Sequence, residues 1–324
     1  MIEAIPAVTI APRALPMLWR GRIPAATLSV IAGKPGLGKS TLTALMVAEL
    51  SRAGLPTLVS NVEDDLHGAT RPRLDVAGAD LRHVHLIPSA SFALPHDLDA
   101  LGELIVSTRA VAVVLDPIGA HFVPERRVHD RPTLRRVIDL ARSTRCALVG
   151  VHHLTKSGTF GGPYGGLLGS SRAAFVFGHD PDDRDRRALA CAKANGFEEP
   201  PALLLEHDTV DYRSGGQLLE AGRLRVAGES DAECDHVLRR GSRDPDRDAA
   251  CDEWLSEYLA AGEGCQRQTS ELRAAAAETG YGWETVRRAG IRIRAEKLRI
   301  GFGGDGFWLW RLPDEHPLRV REGA

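Results

Sequence analysis

The run Ile31-Ala32-Gly33-Lys34-Pro35-Gly36-Leu37-Gly38-Lys39-Ser40-Thr41 constrains this chain more than any other stretch. It fits G-x-x-x-x-G-K-[ST], a loop that wraps phosphate groups. Its glycines let the backbone turn tightly, so that successive N–H groups converge on one anion. Lys39 adds a point charge for the outer phosphates, and Ser40 offers a hydroxyl to Mg²⁺. Such a loop works between a strand and a helix N-terminus. Both flanks are present: residues 27–31 are β-rich, and Leu42, Leu45, Met46 and Leu50 recur at helical spacing. The expected nucleotide-binding set is therefore Gly33, Lys34, Pro35, Gly36, Leu37, Gly38, Lys39, Ser40 and Thr41, with ATP and Mg²⁺ as ligands.

From there strands and helices alternate. Residues 28–31, 57–61, 83–88, 110–116 and 147–152 have strand character, and 40–53, 66–77, 97–108 and 133–144 are helical. This alternation predicts an α/β fold with a central, mostly parallel sheet covered on both faces. The runs 111–115 and 147–151 are apolar throughout, as central parallel strands should be. Residues 1–25 carry four prolines among apolar residues and are expected as a strap, with Trp19 its packing anchor. Three short strands, 173–178, 188–193 and 202–206, suggest an antiparallel extension of the sheet. The expected boundaries are a core over 26–212, a linker over 213–248, a small domain over 249–313 and a tail over 314–324. In that small domain, helices near 254–259, 269–278 and 283–298 and a hairpin over 301–310 match the pattern of a winged helix-turn-helix.

The chemistry needs carboxylates at strand ends. Asp116 ends an apolar strand, where it can hold Mg²⁺ together with Ser40. Hydrolysis also needs a base to orient water, and Asp116 is followed by Pro117 rather than a second acid. Asn61-Val62-Glu63-Asp64-Asp65 ends the second strand. Glu63 is the candidate base; the alternative is an acidic cap for the next helix, which Asp64 or Asp65 would also suit. His153, ending the fifth strand, suits a hydrogen-bond contact to the γ-phosphate. His152 and His153 are adjacent on a strand and point to opposite faces, which argues against a shared metal.

These motifs together resemble the RecA-like ATPase core of hexameric replicative helicases of the RepA and DnaB type. Val62-Glu63-Asp64, Leu115-Asp116, Val151-His152-His153-Leu154-Thr155-Lys156 and Ala192-Lys193-Ala194-Asn195-Gly196 carry the likeness, which covers roughly residues 15–210. The resemblance implies Glu63 as catalytic glutamate, Asp116 as Walker B acid and His153 as γ-phosphate sensor. It implies Lys193 as a basic residue reaching a neighbouring subunit's ATP. It further implies a ring, usually of six subunits, around single-stranded DNA. The arginine that such families place near the Lys193 strand is missing from 188–192, which leaves Arg186, Arg187 and Arg172 as candidates. The glycine-rich loop after His153 falls where RecA-type proteins contact DNA, with Lys156 for phosphates and Tyr164 for stacking. Arg287, Arg288, Arg292 and Arg294 give the small domain a basic helix suited to the DNA backbone, although Gly290 interrupts it.

A formal net charge of −2 means that any DNA contact must come from local patches. No apolar run approaches membrane-spanning length, no signal peptide is expected, and five scattered cysteines match no metal spacing; a cytoplasmic protein is expected. The leading reading is an ATP-driven motor of the replicative-helicase type from a plasmid, phage or other mobile element. The alternatives are a RecA-like DNA-binding ATPase that does not unwind, such as a loader, mediator or regulator, and a nucleotide-gated switch without DNA.

Overall fold

The computed structural model describes residues 4–88, 92–123, 130–154, 165–183, 185–239, 245–301 and 306–320. A short hairpin of β1 (Met17–Trp19) and β2 (Ile23–Pro24) comes first. Trp19 is buried, and its indole N–H donates to Glu49 Oε2 at 2.7 Å, fixing the strap to the first helix. β3 (Leu28–Gly33) leads through the phosphate-binding loop into α1 (Lys39–Arg52). Then follow β4 (Thr57–Asn61), a π-helical turn over Leu66–Thr70, α2 (Arg71–Val76), β5 (Val84–Ile87), α3 (Leu98–Thr108), β6 (Ala112–Asp116), α4 (Arg131–Thr144) and β7 (Ala147–His153). A short α5 (Gly165–Ser170) precedes β8 (Ala173–His179), β9 (Arg186–Ala194), β10 (Ala202–Ser214), β11 (Gln217–Ser230) and α6 (Cys234–Arg239).

One nine-stranded sheet holds these strands in the order β11-β10-β9-β8-β3-β7-β6-β4-β5. Neighbours from β8 to β5 pair in parallel, and β9, β10 and β11 extend the sheet antiparallel. The alternation of side chains along each strand builds two cores. Ala112 and Val114 face the core of α1 with Leu42, Met46 and Val47, whereas Val113 and Leu115 face α3 and α4 with Leu101, Ile105, Leu134 and Val137. The loop leaves β3, flanked by β7 and β8 near the middle of the sheet, so every parallel strand end nearby can aim at one ligand. No helix among the described residues is long and apolar enough to cross a membrane.

The strand expected over 202–206 runs on to Ser214, and much of the expected linker is β11, paired with β10 along its length. Beyond Glu206 the hairpin is largely polar, so no apolar alternation marks it. Cross-strand charges hold it instead, including Arg223 with Asp208 at 2.7 Å. Gly215 and Gly216, both at positive φ, form its two-residue turn.

The C-terminal unit comprises α7 (Pro245–Ala260), β12 (Gln266–Gln268), α8 (Thr269–Glu278), α9 (Trp283–Arg292), β13 (Glu296–Ile300), β14 (Phe307–Arg311) and α10 (Pro317–Val320). Its strands form an antiparallel sheet ordered β12-β14-β13. The helix expected over 283–298 ends at Arg292, and Arg294 turns the chain at φ 59°, so Lys297 and Arg299 lie on β13. Gly290 has a packing reason: a Cβ there would stand 2.2 Å from the Trp310 ring. This unit docks on the large sheet through α9. The helix has no cap of its own; Asp185 supplies one, accepting from Gly282 N at 2.9 Å and from the Thr285 hydroxyl.

Candidate functional site

The phosphate-binding loop has the required build. Gly38 holds φ 90° as the residue before α1, and a Cβ on Gly33 would collide with Phe177 O at 2.4 Å. Lys39 is only 4% exposed, and its Nζ donates to Gly33 O at 3.0 Å and Lys34 O at 2.8 Å. Burial lowers its pKa to about 8, with Asp116 and Glu63 partly offsetting the loss of solvation. A charge held back in this way is ready for an anion.

Asp116 sits at the end of β6, 3% exposed, beside the loop. Burial raises its pKa, and a hydrogen bond from Ser40 opposes that rise. Its Oδ2 is a buried carboxylate oxygen without a hydrogen-bond partner. Such a group is costly unless a cation or a donor completes it. A hydroxyl and an unsatisfied carboxylate are hard oxygen donors, so this pair fits Mg²⁺. Among the described residues no group of three or more His, Cys, Asp or Glu forms a metal site by itself. Phosphate oxygens and water would have to complete the coordination shell.

The acidic turn after β4 resolves into distinct tasks. Asn61 Oδ1 accepts from Glu63 N and Asp64 N, both at 3.0 Å, and Asn61 Nδ2 donates to Asp64 Oδ2 at 2.9 Å. Asp64 is also paired with Arg73, and Asp65 accepts from Gly68 N at 2.5 Å as the cap of the π-helical turn. Glu63 is left with a side chain 59% exposed, its Oε2 3.4 Å from His153 Nε2. His153 ends β7 in register with Gly33, so Lys39, Asp116, Glu63 and His153 gather at one end of four adjacent strands. His152 points away, and burial depresses its pKa to about 4, ahead of repulsion from His153 and Lys39. The two histidines do not share a site.

The other predicted residues separate. Arg187 is 4% exposed and its Nη1 lies 3.1 Å from His179 Nδ1, which withdraws it from any neighbouring chain; Arg186 pairs with Asp183 at 3.6 Å. Arg172 N donates to Leu28 O, at the end of β3 opposite Gly33 and roughly 17 Å along the strand from the loop. Lys193 lies close by, its Nζ donating to Leu168 O and Gly169 O, both at 2.9 Å. Its pKa is lowered by burial and then by the Arg172 charge. Arg172 and Lys193 thus form a cationic pair remote from this chain's own loop. In the small domain, Arg287 donates to Thr209 on β10 at 3.1 Å and Arg292 is bridged to Asp252 at 2.7 Å, so neither points freely outward. Arg288 is half-buried and Arg294 exposed. Lys156 and Tyr164 lie outside the described residues.

Sequence reasoning missed two features. Asn61 organises the acidic turn, and an asparagine closing a strand before such a turn is a readable signal. The β10–β11 hairpin covers the start of α1: positions 38 and 222 flank the His207 ring, whose atoms lie 3.9 Å and 3.2 Å from where their Cβ atoms would stand. No local pattern foretells that contact, because it depends on the hairpin register.

A family model described as an AAA domain matches residues 7–159, a span holding the loop, Glu63, Asp116 and His153. Solved structures similar to this chain include one ATPase domain at 11% identity and TM-score 0.45, covering 56% of this chain and 81% of that one. A KaiC-like protein from the hyperthermophilic archaeon Pyrococcus horikoshii OT3 matches at 17% identity and TM-score 0.46, covering 58% and 89%. No curated protein matches the chain. The loop geometry, the sheet and the family match together support an ATPase with a mostly parallel central sheet.

Proposed function

We propose that this protein is an ATP-hydrolysing, DNA-associated motor of the replicative-helicase type, working as a ring in which neighbouring subunits share each ATP site. The observation that carries this reading is the Glu63–His153 contact at 3.4 Å beside Lys39 and Asp116. In it Glu63 takes a proton from the attacking water. Lys39 holds the outer phosphates, and Ser40 and Asp116 hold the metal side of the site. Mg²⁺, when bound, supplies neutralisation of the phosphate charge. His153 touches the base and is the last residue of β7, so a change at the γ-phosphate can pass along the chain towards Lys156 and Tyr164. Arg172 and Lys193 are remote from their own loop and suit the phosphates held by a second copy; Arg186 and Arg187 are already engaged. The order α7-β12-α8-α9-β13-β14 in the C-terminal unit supports reading it as a winged helix.

One observation favours a second reading, a DNA-binding ATPase that does not unwind. Two of the four arginines assigned to DNA are held inside the chain, and α9 is docked on β10. ATP turnover should be measured with and without single-stranded DNA, alongside unwinding of a forked duplex. Stimulation with unwinding supports the motor, and stimulation without unwinding supports the second reading. Turnover and oligomeric state indifferent to DNA would leave only a nucleotide-gated switch.

A further inference from the structure

We infer that His121 is a positioning residue for hydrolysis, fixing the turn after β6 against β4 so that Asp116 and Glu63 keep their spacing. The inference rests on the ATPase reading above. After Asp116 the chain passes through Pro117 into a single helical turn, Ile118–His121. The His121 ring is 2% exposed; its Nδ1 lies 3.0 Å from Pro117 O and its Nε2 2.8 Å from Ser60 Oγ. A carbonyl can only accept, so Nδ1 carries the proton, and in the neutral ring Nε2 accepts from the Ser60 hydroxyl. Burial lowers the pKa of His121 and keeps it in that neutral form.

The turn ties β6 to β4 and packs against β7. Ser60 immediately precedes Asn61, whose side chain organises the Glu63 turn, and Val62 N donates to Asp116 O at 3.0 Å. Ile118 covers Gly150 on β7, where a Cβ would stand 2.7 Å from Ile118 Cδ1. The backbone of His121 is itself held, its carbonyl accepting from Leu94 N at 2.6 Å. Along β4 side chains alternate, so Ser60 faces the α3 side and Asn61 the α1 side. His121 therefore acts from across the sheet and touches no ligand. An ordinary core histidine needs only satisfied nitrogens. This one spends both nitrogens on joining the turn after β6 to the end of β4, whose separation sets the spacing of Asp116 and Glu63, and a displacement of about 1 Å there can cost about a hundredfold in rate.

The test compares His121→Phe, Ser60→Ala, their double variant and His121→Gln, whose amide oxygen can still accept from Ser60. Turnover is measured per folded site, with the folded fraction taken from melting curves. Affinity for a fluorescent ATP analogue is measured with and without Mg²⁺. The expected result for His121→Phe is a fall in kcat of about tenfold or more, with metal-free affinity within about twofold. Mg²⁺ should strengthen analogue binding less than in wild type. Ser60→Ala should behave alike, the double variant should be little worse than either single one, and His121→Gln should recover part of the loss. Turnover per folded site within about twofold of wild type in both single variants would overturn the inference. Should His121→Phe fail to fold, Ser60→Ala decides alone. Should wild type bind the analogue but turn over no triphosphate, the ATPase reading fails separately. The Mg²⁺ dependence of analogue affinity then decides, and an unchanged dependence in Ser60→Ala overturns the positioning role.

Discussion

Binding of a triphosphate should load a proton onto Lys39. In the free site burial holds its pKa at about 8, so near pH 8 about half the molecules carry a neutral amine. A phosphate charge at about 4 Å, at an effective dielectric of about 20, is worth about 4 kcal/mol, or about three pKa units. That restores the ammonium at least to its ordinary range in the complex. The sign follows from linkage: binding raises the pKa, so affinity is greatest below the pKa of the free site and falls as pH rises through it. Free Lys39 is about nine-tenths protonated at about pH 7 and about one-tenth at about pH 9, so affinity should drop about tenfold across that range. Calorimetric titration at about pH 8, in two buffers of different ionisation enthalpy, should register uptake of about half a proton per site. Lys39→Met should bind more weakly and remove the buffer dependence. Identical enthalpies in both buffers, with flat affinity from about pH 7 to about pH 9, would refute the buried, charge-depleted lysine on which the loop account depends.

Asp185→Ala removes the cap that the large sheet lends to α9, at a cost of about 0.5–2 kcal/mol. Hydrogen exchange in the first turn of α9 should quicken, and unchanged exchange would contradict the docking. Gly290→Ala should destabilise the C-terminal unit by about 1–3 kcal/mol because the methyl meets Trp310 at 2.2 Å. On an open helix the same change stabilises by about 1 kcal/mol, so the sign of the melting-temperature shift decides between them. Arg172→Ala and Lys39→Ala should each be inactive alone and regain part of the activity when mixed; no recovery in the mixture would count against a shared site.

The parallel half of the sheet was legible because its physics is local. Strands such as 111–115 are apolar on both faces, and the glycine-rich turn can lie only between a strand and a helix. The strand ends carrying Asp116 and His153 followed from the same reasoning. Glu63 was separable from Asp64 and Asp65 only once Asn61, Arg73 and the Gly68 amide were seen to occupy the other two acids. The polar half of the β10–β11 hairpin was hidden because its stability comes from cross-strand ion pairs and from a register that no single-strand pattern encodes. The helix over 283–298 is shorter in the fold than its sequence pattern predicts, for a related reason. Residues 283–298 keep an amphipathic character, and only the positive φ of Arg294 and the pairing of β13 with β14 end the helix at Arg292. Arg287 and Arg292 illustrate the limit of composition: basic residues on a helix face can serve Thr209 and Asp252 as readily as a phosphate.

The most direct test of the central claim is phosphate release from ATP by wild type and by Glu63→Gln, with nucleotide affinity measured on the same samples. Wild type should turn over ATP, and Glu63→Gln should bind it within about twofold of wild type while losing about a hundredfold or more in rate. Wild-type turnover in Glu63→Gln would contradict the assignment of the base. Absence of turnover in wild type, with and without single-stranded DNA, would contradict the ATPase itself.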